Sequence, residues 1–318
     1  MTAFTQDLLA GLQAQPRQLS PKWFYDTAGS RLFEQICELP EYYPTRTELA
    51  LLDRHAPEFA QRMGPGAEIV EFGAGASVKV RMLLAASGQV RCFVPIDISG
   101  EYLAGVATEL RSSYPGLAVV PVAGDFTTDI DLPAAEGTRL GFFPGSSIGN
   151  FEPAAAQALL QRFAGWLQGG ALLIGVDLVK HPAELHAAYN DAQGVTAAFN
   201  LNLLTRANRE AGADFRLPDW DHAAFYHPGL RRIEMHLVSR RAQSVCVAGE
   251  HFAFEEGESI HTENSYKYSV AGFQALARRA GWSPRQVWVD GAQRFSLHWL
   301  EPDQAANAAS AVSARSAR

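Results

Sequence analysis

The chain has 318 residues, with 27 Lys and Arg against 34 Asp and Glu and a net charge of -7. Nucleic-acid-binding proteins usually carry a clustered basic face, so this acidic balance argues against such a partner. Hydrophobic residues make up 47% of the chain and charged residues 19%, which is typical of a globular protein with a substantial core. A small-molecule substrate fits this composition better than nucleic acid.

The beginning of the chain lacks a basic segment followed by an apolar stretch, and no run of about 18 apolar residues follows, so we expect neither a secretion signal nor a membrane span. Cys37, Cys92 and Cys246 are too few and too scattered for a disulfide framework or a zinc site. We therefore expect a reduced, cytoplasmic protein. The tail from Gln304 to Arg318, rich in Ala, Ser and Arg, is predicted to be disordered.

Residues 1–46 do not look like the start of a nucleotide-binding sheet. Six aromatic residues crowd the segment from Ser20 to Glu48 among several Pro and Gly turns, which predicts a cap that packs against something else. Thr45 and Glu48 fit the S/T-x-x-E capping box, in which the hydroxyl and the carboxylate satisfy free N–H groups at a helix start. We expect a helix from there to the glycines near residue 64.

Between residues 47 and 179 apolar strands alternate with helices. This pattern is typical of a parallel sheet covered on both faces, because such strands are apolar throughout. The predicted strands are 67–72, 90–96, 117–122, 140–143 and 171–178, and the predicted helices between them are 78–87, 102–112 and 153–167. The predicted fold class is therefore α/β, with an open, Rossmann-like sheet.

Residues 180–266 break the alternation and are predicted to form an α+β insertion. A long helical stretch spans 181–210, and two alternating strands follow at 232–239 and 244–247. The remaining residues, 267–303, contain a predicted helix at 270–281 and predicted strands at 286–289 and 295–299. This arrangement indicates an antiparallel end to the open sheet.

A glycine-rich turn, Gly73-Ala74-Gly75, follows the first strand. Glycine lets the backbone approach a ligand, and the helix that starts after the turn offers free N–H donors. Val78 stands at the third glycine position of the G-x-G-x-x-G pattern, which weakens a dinucleotide interpretation. Taken alone, the turn is explained equally well as an ordinary strand-to-helix connection.

Acidic residues follow the next two strands. Asp97 can accept hydrogen bonds from both hydroxyls of a ribose, and Asp125 can accept one from an adenine amino group while Phe126 packs on the base. Each alone is more simply a turn residue, but three such features at successive strand ends favour a nucleoside cofactor. The alternative is an oxidoreductase that binds NAD(P). The missing third glycine, the Asp-Phe pair and the antiparallel end of the sheet favour S-adenosylmethionine as the cofactor.

Segments spread along the chain resemble the histidine Nα-methyltransferase family of ergothioneine biosynthesis. The resemblance runs from Pro16 to Glu301 in long, unusual and colinear matches. The segments are PKWFYD (21–26), LPEYYPTRTE (39–48), GSSIGN (145–150), DLVK (177–180), AYNDAQGVTAAFN (188–200), RIEM (232–235) and TENS (262–265). The resemblance implies an S-adenosylmethionine-dependent enzyme that methylates the α-amino group of histidine to trimethylhistidine (hercynine).

The resemblance also implies how the domains are arranged. A methyltransferase domain, residues 47–179 and 267–303, is interrupted by a substrate-binding domain built from the cap 1–46 and the insertion 180–266.

The cofactor contacts implied by the resemblance are Gly73, Lys79, Asp97, Asp125 and Phe126. All except Lys79 are also indicated by their places at strand ends. Lys79 adds a cation for the carboxylate of the cofactor, although a solvated helix lysine is the simpler interpretation of that residue taken alone.

For the substrate, the resemblance places Asn150 and Tyr189 at the α-amino and α-carboxylate end, and Tyr42, Glu263 and Ser265 around the imidazole. These residue types suit the task, because a carboxylate accepts an imidazole N–H and a hydroxyl serves the other ring nitrogen. Taken singly, Asn150 would be a turn residue and the two tyrosines packing residues. The joint match favours the functional interpretation.

Aromatic residues are expected to surround the methylated amine. Tyr25, Phe33 and Tyr42 can line a pocket for a growing cation, since aromatic faces attract quaternary ammonium groups. Met235 is expected to pack on the ligand, and both Met235 and Phe33 suit a core role as well. The candidate catalytic residues are Asn150, which fixes the amine, and Tyr25; no residue is assigned as a general base.

Two other functions are compatible with the pattern. An Nα-methyltransferase for tryptophan or tyrosine is disfavoured, because an indole or phenol would leave Glu263 or Ser265 unpaired. A non-catalytic module that binds an amino acid and a nucleotide is disfavoured by Asn150 and Asp97. No metal site is predicted, since His251 and His261 lack a carboxylate or cysteine partner at ligand spacing. We expect a monomer.

Overall fold

The computed structural model describes residues 1–75 and 77–303, and the tail predicted to be disordered lies outside this part of the chain. The helices within the described residues are α1 Ala3–Gln13, α2 Thr27–Glu38, α3 Tyr43–Met63, α4 Val78–Ser87, α5 Gly100–Ser113, α6 Pro153–Leu167, α7 Pro182–Tyr189, α8 Val195–Ala211 and α9 Val270–Arg279. The strands are β1 Glu68–Phe72, β2 Cys92–Asp97, β3 Ala118–Val119, β4 Val122–Ala123, β5 Arg139–Phe143, β6 Ala171–Asp177, β7 Trp220–His227, β8 Arg232–Ser239, β9 Gln243–Val247, β10 Glu250–Phe254, β11 Ser259–Tyr266, β12 Trp282–Val289 and β13 Phe295–Pro302.

The chain divides into two compact units. The first unit comprises Met1–Tyr43 and Lys180–Lys267, and the second comprises Pro44–Val179 and the described residues from Tyr268 to Asp303. Each unit contains hydrophobic clusters of its own. None of the helices in the described ranges combines the length and the apolar character needed to cross a membrane.

The second unit is built on a sheet in the order β12-β13-β6-β5-β1-β2-β3, with β4 also paired to β2. The pairs among β1 to β6 are parallel, whereas β13 pairs antiparallel with both β6 and β12. The predicted α/β sheet with an antiparallel end is therefore confirmed. The predicted strand 117–122 is two short strands, because Pro121 between them has no N–H to donate to a ladder.

Helices cover both faces of this sheet. β1 and β5 are buried along their whole length, and most of their residues are apolar. Ile69 packs in a cluster with residues of α3, α4 and α5, and its neighbour Val70 packs in a second cluster with residues of α6 and α9. Burial of each such aliphatic side chain is worth about 1.5 to 3 kcal/mol. The two clusters thus pack the sheet against helices on both faces.

The first unit combines an antiparallel sheet, β11-β8-β7, with the pair β9-β10 and the helices α1, α2, α7 and α8. Along β8 the buried apolar residues are Ile233, Met235 and Leu237, and they join the same cluster as residues of α8. This alternation is typical of a sheet with one face against the core. The residues between them on β8 face away from that core.

A β-bulge interrupts the pairing of β11 with β8. His261 lies opposite His236, and Glu263 lies opposite Met235, so Thr262 is the extra residue. The Thr262 hydroxyl donates to the backbone carbonyl of Met235 at 3.1 Å. Because strand side chains alternate between faces, the bulge places Glu263 on the core side with Met235, whereas His261 shares the outer face with His236.

The insertion differs from its prediction in two respects. The helical stretch predicted at 181–210 is two helices, because the Asp191 carboxylate accepts from the N–H groups of Val195 at 2.9 Å and Thr196 at 2.8 Å and so begins α8 anew. The strands β7, β10 and β11 were not predicted at all. The insertion therefore contains more sheet than its sequence indicates.

Candidate active site

The candidate cofactor residues lie at the carboxyl ends of parallel strands in the second unit. Gly73 follows β1, Asp97 ends β2, and Asp125 follows β4 by one residue after Gly124. Within the sheet, β2 is the neighbour of β1 on one side and β5 is its neighbour on the other, so the strand order changes direction at β1. Open α/β sheets bind ligands at such a switch of direction, outside the carboxyl ends of the strands.

The turn after β1 requires its glycines. Gly73 has a φ of 74° and Gly75 a φ of 45°, in the left-handed region that glycine adopts without strain. The Asp97 carboxylate accepts hydrogen bonds from the N–H of Gly75 at 3.2 Å and from the N–H of Ser99 at 3.1 Å. Asp97 thus ties the turn after β1 to the end of β2, which brings together two of the expected cofactor residues.

Phe126 and Asp125 lie beside this turn. A side-chain atom added to Gly73 would lie 3.5 Å from the Phe126 ring, so the ring faces the glycine turn closely. On another side the ring packs against Phe143, with ring centroids 5.6 Å apart. Asp125 Oδ1 accepts from the N–H of Thr127 at 2.9 Å, which fixes its carboxylate. These contacts leave the acid and the ring partly exposed, as a nucleoside site needs.

The environment of Glu71, near the end of β1, indicates which kind of ligand the site can bind. Its side chain is buried, and Oε2 has no hydrogen-bond partner within the described part of the chain. Burial raises the pKa of Glu71 well above its ordinary value; the nearby Glu48 and Asp97 add to the rise, and Lys79 opposes it. Three carboxyl groups around one glycine turn fit a ligand that carries hydroxyl and amino donors and a positive sulfonium.

Glu48 is a residue of this site that the sequence analysis placed wrongly. The capping box is not formed, because α3 begins at Tyr43, before Thr45. The fully buried Glu48 carboxylate instead lies 2.5 Å from Lys79 Nζ and accepts from the N–H of Gly145 through both oxygens, at 2.9 and 3.0 Å. A signal was present in the sequence: Leu51 and Leu52, three and four residues further along the helix, place Glu48 on its buried stripe.

Asn150 lies in the loop that follows β5, at the end of the short 3-10 helix Ser147–Asn150. The loop is held from two neighbours. Glu48 of α3 binds Gly145 at its start, and Ser146 Oγ accepts from the N–H of Asp177 in β6 at 2.8 Å. Asn150 is partly buried, and these two hydrogen bonds hold the start of its loop against α3 and β6.

In the first unit, the expected substrate residues form a chain of aromatic contacts. Tyr25 and Phe33 meet edge to face at 5.6 Å between centroids, Phe33 and Tyr42 at 6.3 Å, and Tyr42 and Tyr189 at 6.4 Å. Burial raises the pKa of Tyr42 well above its ordinary value, an effect to which Tyr189, Cys37, Tyr25 and Glu263 add. Tyr42 therefore stays a neutral hydroxyl at physiological pH.

The polar residues of the first unit lie against this aromatic chain. Tyr189 donates to Ser265 Oγ at 2.7 Å. Lys267, which is 3% exposed, donates to Ser265 Oγ at 2.7 Å and to the Tyr189 hydroxyl at 3.2 Å. Burial raises the pKa of Glu263 to about 7, and the charge of Lys267 opposes that rise. Met235 lies opposite Glu263 in the register of β8 with β11.

The structure thus brings Tyr25, Phe33, Tyr42, Tyr189, Met235, Glu263 and Ser265 into one part of the first unit, while Asn150 belongs to the second unit. Lys267 was not predicted from the sequence. Its signal was an alternation of polar residues, since Glu263, Ser265 and Lys267 follow one another at every second position.

Another polar cluster lies on the outer face of the first unit's sheet. Glu234, His236 and His261 each place a possible ligand atom within 4.8 Å of the others, a proximity that the sequence analysis did not foresee. The Glu234 carboxylate, however, already accepts from the Arg232 guanidinium at 2.7 and 2.8 Å. A divalent cation at this carboxylate would face that fixed positive charge, so we assign no metal to the cluster.

Comparison with known proteins gives consistent results. A family model described as histidine-specific, S-adenosylmethionine-dependent methyltransferase matches residues 4–302. The chain is 42% identical over 301 residues to the histidine N-alpha-methyltransferase of Mycolicibacterium smegmatis, covering 93% of this chain and 94% of that protein. It is 41% identical, with the same coverage, to the protein of that name from Mycobacterium tuberculosis. The ergothioneine biosynthesis protein 1 of Neurospora crassa is 33% identical over 90% of this chain and 33% of its own length.

Proposed function

The chain belongs to the family of histidine-specific, S-adenosylmethionine-dependent methyltransferases, and on that premise we propose that it methylates the α-amino nitrogen of L-histidine. Three successive transfers give trimethylhistidine, or hercynine, as the first step towards ergothioneine. Within the family, the observation that supports histidine as the substrate is the placement of Glu263 and Ser265 on the core side of β11, beside the aromatic chain of the first unit.

We propose that residues of the second unit bind the cofactor. The turn at Gly73 allows close approach of the backbone, Asp97 accepts from the ribose hydroxyls, and Asp125 with Phe126 receives the adenine. Lys79 pairs with the cofactor carboxylate, sharing its charge with Glu48. When bound, S-adenosylmethionine supplies a methyl group on a positive sulfur, so the chemistry needs no further activation of the donor.

The protein's own task is to present a neutral amine. The Asn150 amide oxygen accepts an N–H of the amine, which directs the nitrogen lone pair at the methyl carbon. We keep Tyr189 as the neighbour of the α-carboxylate, which its ring would line, because its hydroxyl hydrogen is donated to Ser265 Oγ. Holding both reactants in line supplies most of the rate gain in a displacement of this kind. Before each transfer the ammonium form of the amine loses one proton to water, and the third transfer gives the quaternary cation without a further proton loss.

The aromatic chain suits the product of repeated transfer. Each methyl group makes the amine larger, and the product is a fixed cation that cannot donate hydrogen bonds. Faces of Tyr25, Phe33 and Tyr42 attract such a cation without needing a donor from it. The neutral Tyr42 hydroxyl adds no competing charge.

The recognition of the ring separates histidine from the alternatives. A carboxylate and a hydroxyl together satisfy the N–H and the lone pair of a neutral imidazole. An indole or a phenol would leave one of these groups without a partner, and sites built to satisfy a polar group reject ligands that lack it by large factors. No feature of the described residues favours tryptophan or tyrosine over histidine. The location in the cytoplasm and the monomeric state remain predictions.

Mass spectrometry after incubation with S-adenosylmethionine and each amino acid in turn tests the proposal. We expect histidine to gain three methyl groups and the other amino acids to gain none. The N150A variant provides the matched control. We expect its histidine turnover to be about 100-fold lower, because the contact with the amine is lost. Turnover of another amino acid with none of histidine would refute the proposed substrate, and binding without any methyl transfer would favour the non-catalytic module.

A further inference from the structure

Lys267 forms a closed triangle with two hydroxyl groups of the candidate substrate site. Its Nζ lies 2.7 Å from Ser265 Oγ and 3.2 Å from the Tyr189 hydroxyl, and the two hydroxyl oxygens are 2.7 Å apart. Lys267 and Ser265 are 3% and 5% exposed, and Tyr189 is 7% exposed. A buried lysine is costly unless its donors are used, so this contact is a defined feature of the fold.

The chemistry of the ammonium group fixes the direction of two of these hydrogen bonds, and the geometry of the Tyr189 hydroxyl gives the third. An ammonium group only donates, so both hydroxyl oxygens accept from Lys267. Tyr189 directs its single hydrogen to Ser265 Oγ. Ser265 Oγ therefore accepts twice, and both of its acceptor positions within the triangle are filled. The hydrogen of Ser265 has to point out of the triangle.

A donor at Ser265 has a specific meaning for the ring of the substrate. A neutral imidazole has one N–H and one nitrogen lone pair, while a protonated imidazole has two N–H groups and no lone pair. Glu263 suits the N–H as an acceptor, and a committed Ser265 donor suits the lone pair. The buried positive charge of Lys267 also disfavours a protonated ring.

We propose that Lys267 is a positioning residue of the substrate site, which commits the Ser265 hydroxyl to donate to the unprotonated ring nitrogen and so selects a neutral imidazole. This inference rests on the proposed function. Lys267 acts through Ser265 and does not itself touch the ring. Nothing in its role requires contact with the cofactor, whose proposed residues belong to the second unit.

Substrate discrimination measures this role directly. The two probes are histidine and β-(2-thienyl)alanine, whose ring has nearly the same size but neither an N–H nor a nitrogen acceptor. We expect K267M to lower the preference for histidine over the thienyl analogue about 10- to 100-fold, mainly through the KM of histidine, with kcat and the KM of S-adenosylmethionine changed less than threefold. K22M, which removes a lysine that lies over Trp23, is the matched control and should retain the preference.

A double-variant cycle separates positioning from a general structural effect. If Lys267 acts through Ser265, the variant carrying K267M and S265A together discriminates no worse than S265A alone. Additive losses would overturn the proposal. An unchanged preference in K267M, with intact histidine turnover in the unsubstituted protein, would overturn it as well. Failure of the unsubstituted protein to methylate histidine would instead count against the proposed function.

The pH dependence supplies a readout that altered packing would not move. Among the described residues, the ionisable groups that act on Glu263 or on its neighbour Tyr42 are Lys267, Tyr189, Tyr25 and Cys37. Lys267 opposes the rise in the pKa of Glu263, so its removal in K267M should raise that pKa further. The acidic limb of the pH profile of kcat/KM for histidine should then move to higher pH. The titration of free histidine is the same for both proteins. K267Q, which keeps a polar end group in the buried position, should show the same shift if K267M does not fold. An acidic limb that stays in place in the folded variant would contradict the proposal.

Discussion

His298 is a single residue whose environment ties the stability of the second unit to pH. It lies on β13 with no solvent exposure, and its ring contacts Phe273 at 4.7 Å between centroids. Nε2 lies 2.9 Å from Ser296 Oγ, while Nδ1 has no partner among the residues that the structure describes. Burial lowers the pKa of His298 to about 3. The ring is therefore neutral in the folded protein above about pH 3, whereas an unfolded histidine takes up a proton at a higher pH.

The sign of the pH effect follows from this difference. An unfolded histidine titrates near 6.5, so the stabilising contribution is complete above pH 6.5 and is lost as the pH falls towards 3. Between pH 6.5 and 4.5 the loss is about 2 to 3 kcal/mol. Urea unfolding at a series of pH values should show a shallower acid dependence in H298Q by about that amount. The exposed His251 supplies the control, and equal slopes in H298Q and H251Q would contradict the assignment.

At the scale of elements, Glu48 connects α3 to α4 and to the loop after β5. It pairs with Lys79 at the start of α4 and accepts from the N–H of Gly145 in the loop that carries Asn150. Gly175 of β6 is required beside it, because a side-chain atom there would lie 2.1 Å from Glu48 Oε1. One buried carboxylate thus positions two of the predicted site residues.

Removal of that charge should weaken the cofactor site. E48Q keeps an acceptor for Gly145 but leaves Lys79 without its buried counterion, so we expect a stability loss of about 2 kcal/mol and cofactor binding at least tenfold weaker. Lys79 is partly exposed, which limits the loss. E109Q removes an exposed partner of Arg81 and should change both quantities little. Calorimetry that shows equal cofactor affinities for the two variants would remove Glu48 from the site.

Local patterns predicted the elements that depend on local chemistry. The helix predicted at 153–167 has those bounds in the structure, since Pro153 begins it and its apolar stripe packs on the sheet. β8 also has its predicted bounds, because its buried residues alternate without interruption. In β7 the core side offers only Trp220 and Ala224 as fully buried residues, which is too weak an alternation to reveal a strand.

The parts of the site that the sequence did not reveal depend on distant contacts. Glu48 and Gly145 are 97 residues apart, and Tyr189 and Lys267 are 78 apart, so no local pattern couples them. Glycine turns and strand-end acids were predicted because each is tied to its own strand. Lys267 was missed because its partners are defined only once α7 and β11 have packed together.

At the scale of the whole molecule, the two compact units divide the proposed binding tasks. Apart from Asn150, the proposed substrate residues belong to the first unit, and the proposed cofactor residues belong to the second. A ligand that binds only the folded state stabilises it, by about 2.7 kcal/mol at 100 times its Kd. The division therefore predicts which substitutions remove the effect of each ligand.

S-adenosylmethionine at that excess should raise the melting temperature of the protein by about 5 °C. D97A should abolish the rise, because the variant lacks the proposed ribose acceptor. E263Q should retain it, because Glu263 belongs to the first unit. Differential scanning fluorimetry of the three proteins with and without the cofactor gives the comparison. A rise that persists in D97A, or is lost in E263Q, would contradict the division of tasks.

The bulge in β11 determines which insertions and deletions this strand can accept. Thr262 is the extra residue opposite Met235, so a chain lacking it still has Glu263 opposite Met235 and Ser265 opposite Ile233. Loss of Asn264 instead moves Ser265 one pairing position along and turns its hydroxyl to the outer face. In comparisons of related chains, we therefore expect a one-residue gap at 262 to leave the proposed ring-binding groups in place, and a gap two positions later to accompany a loss of histidine specificity.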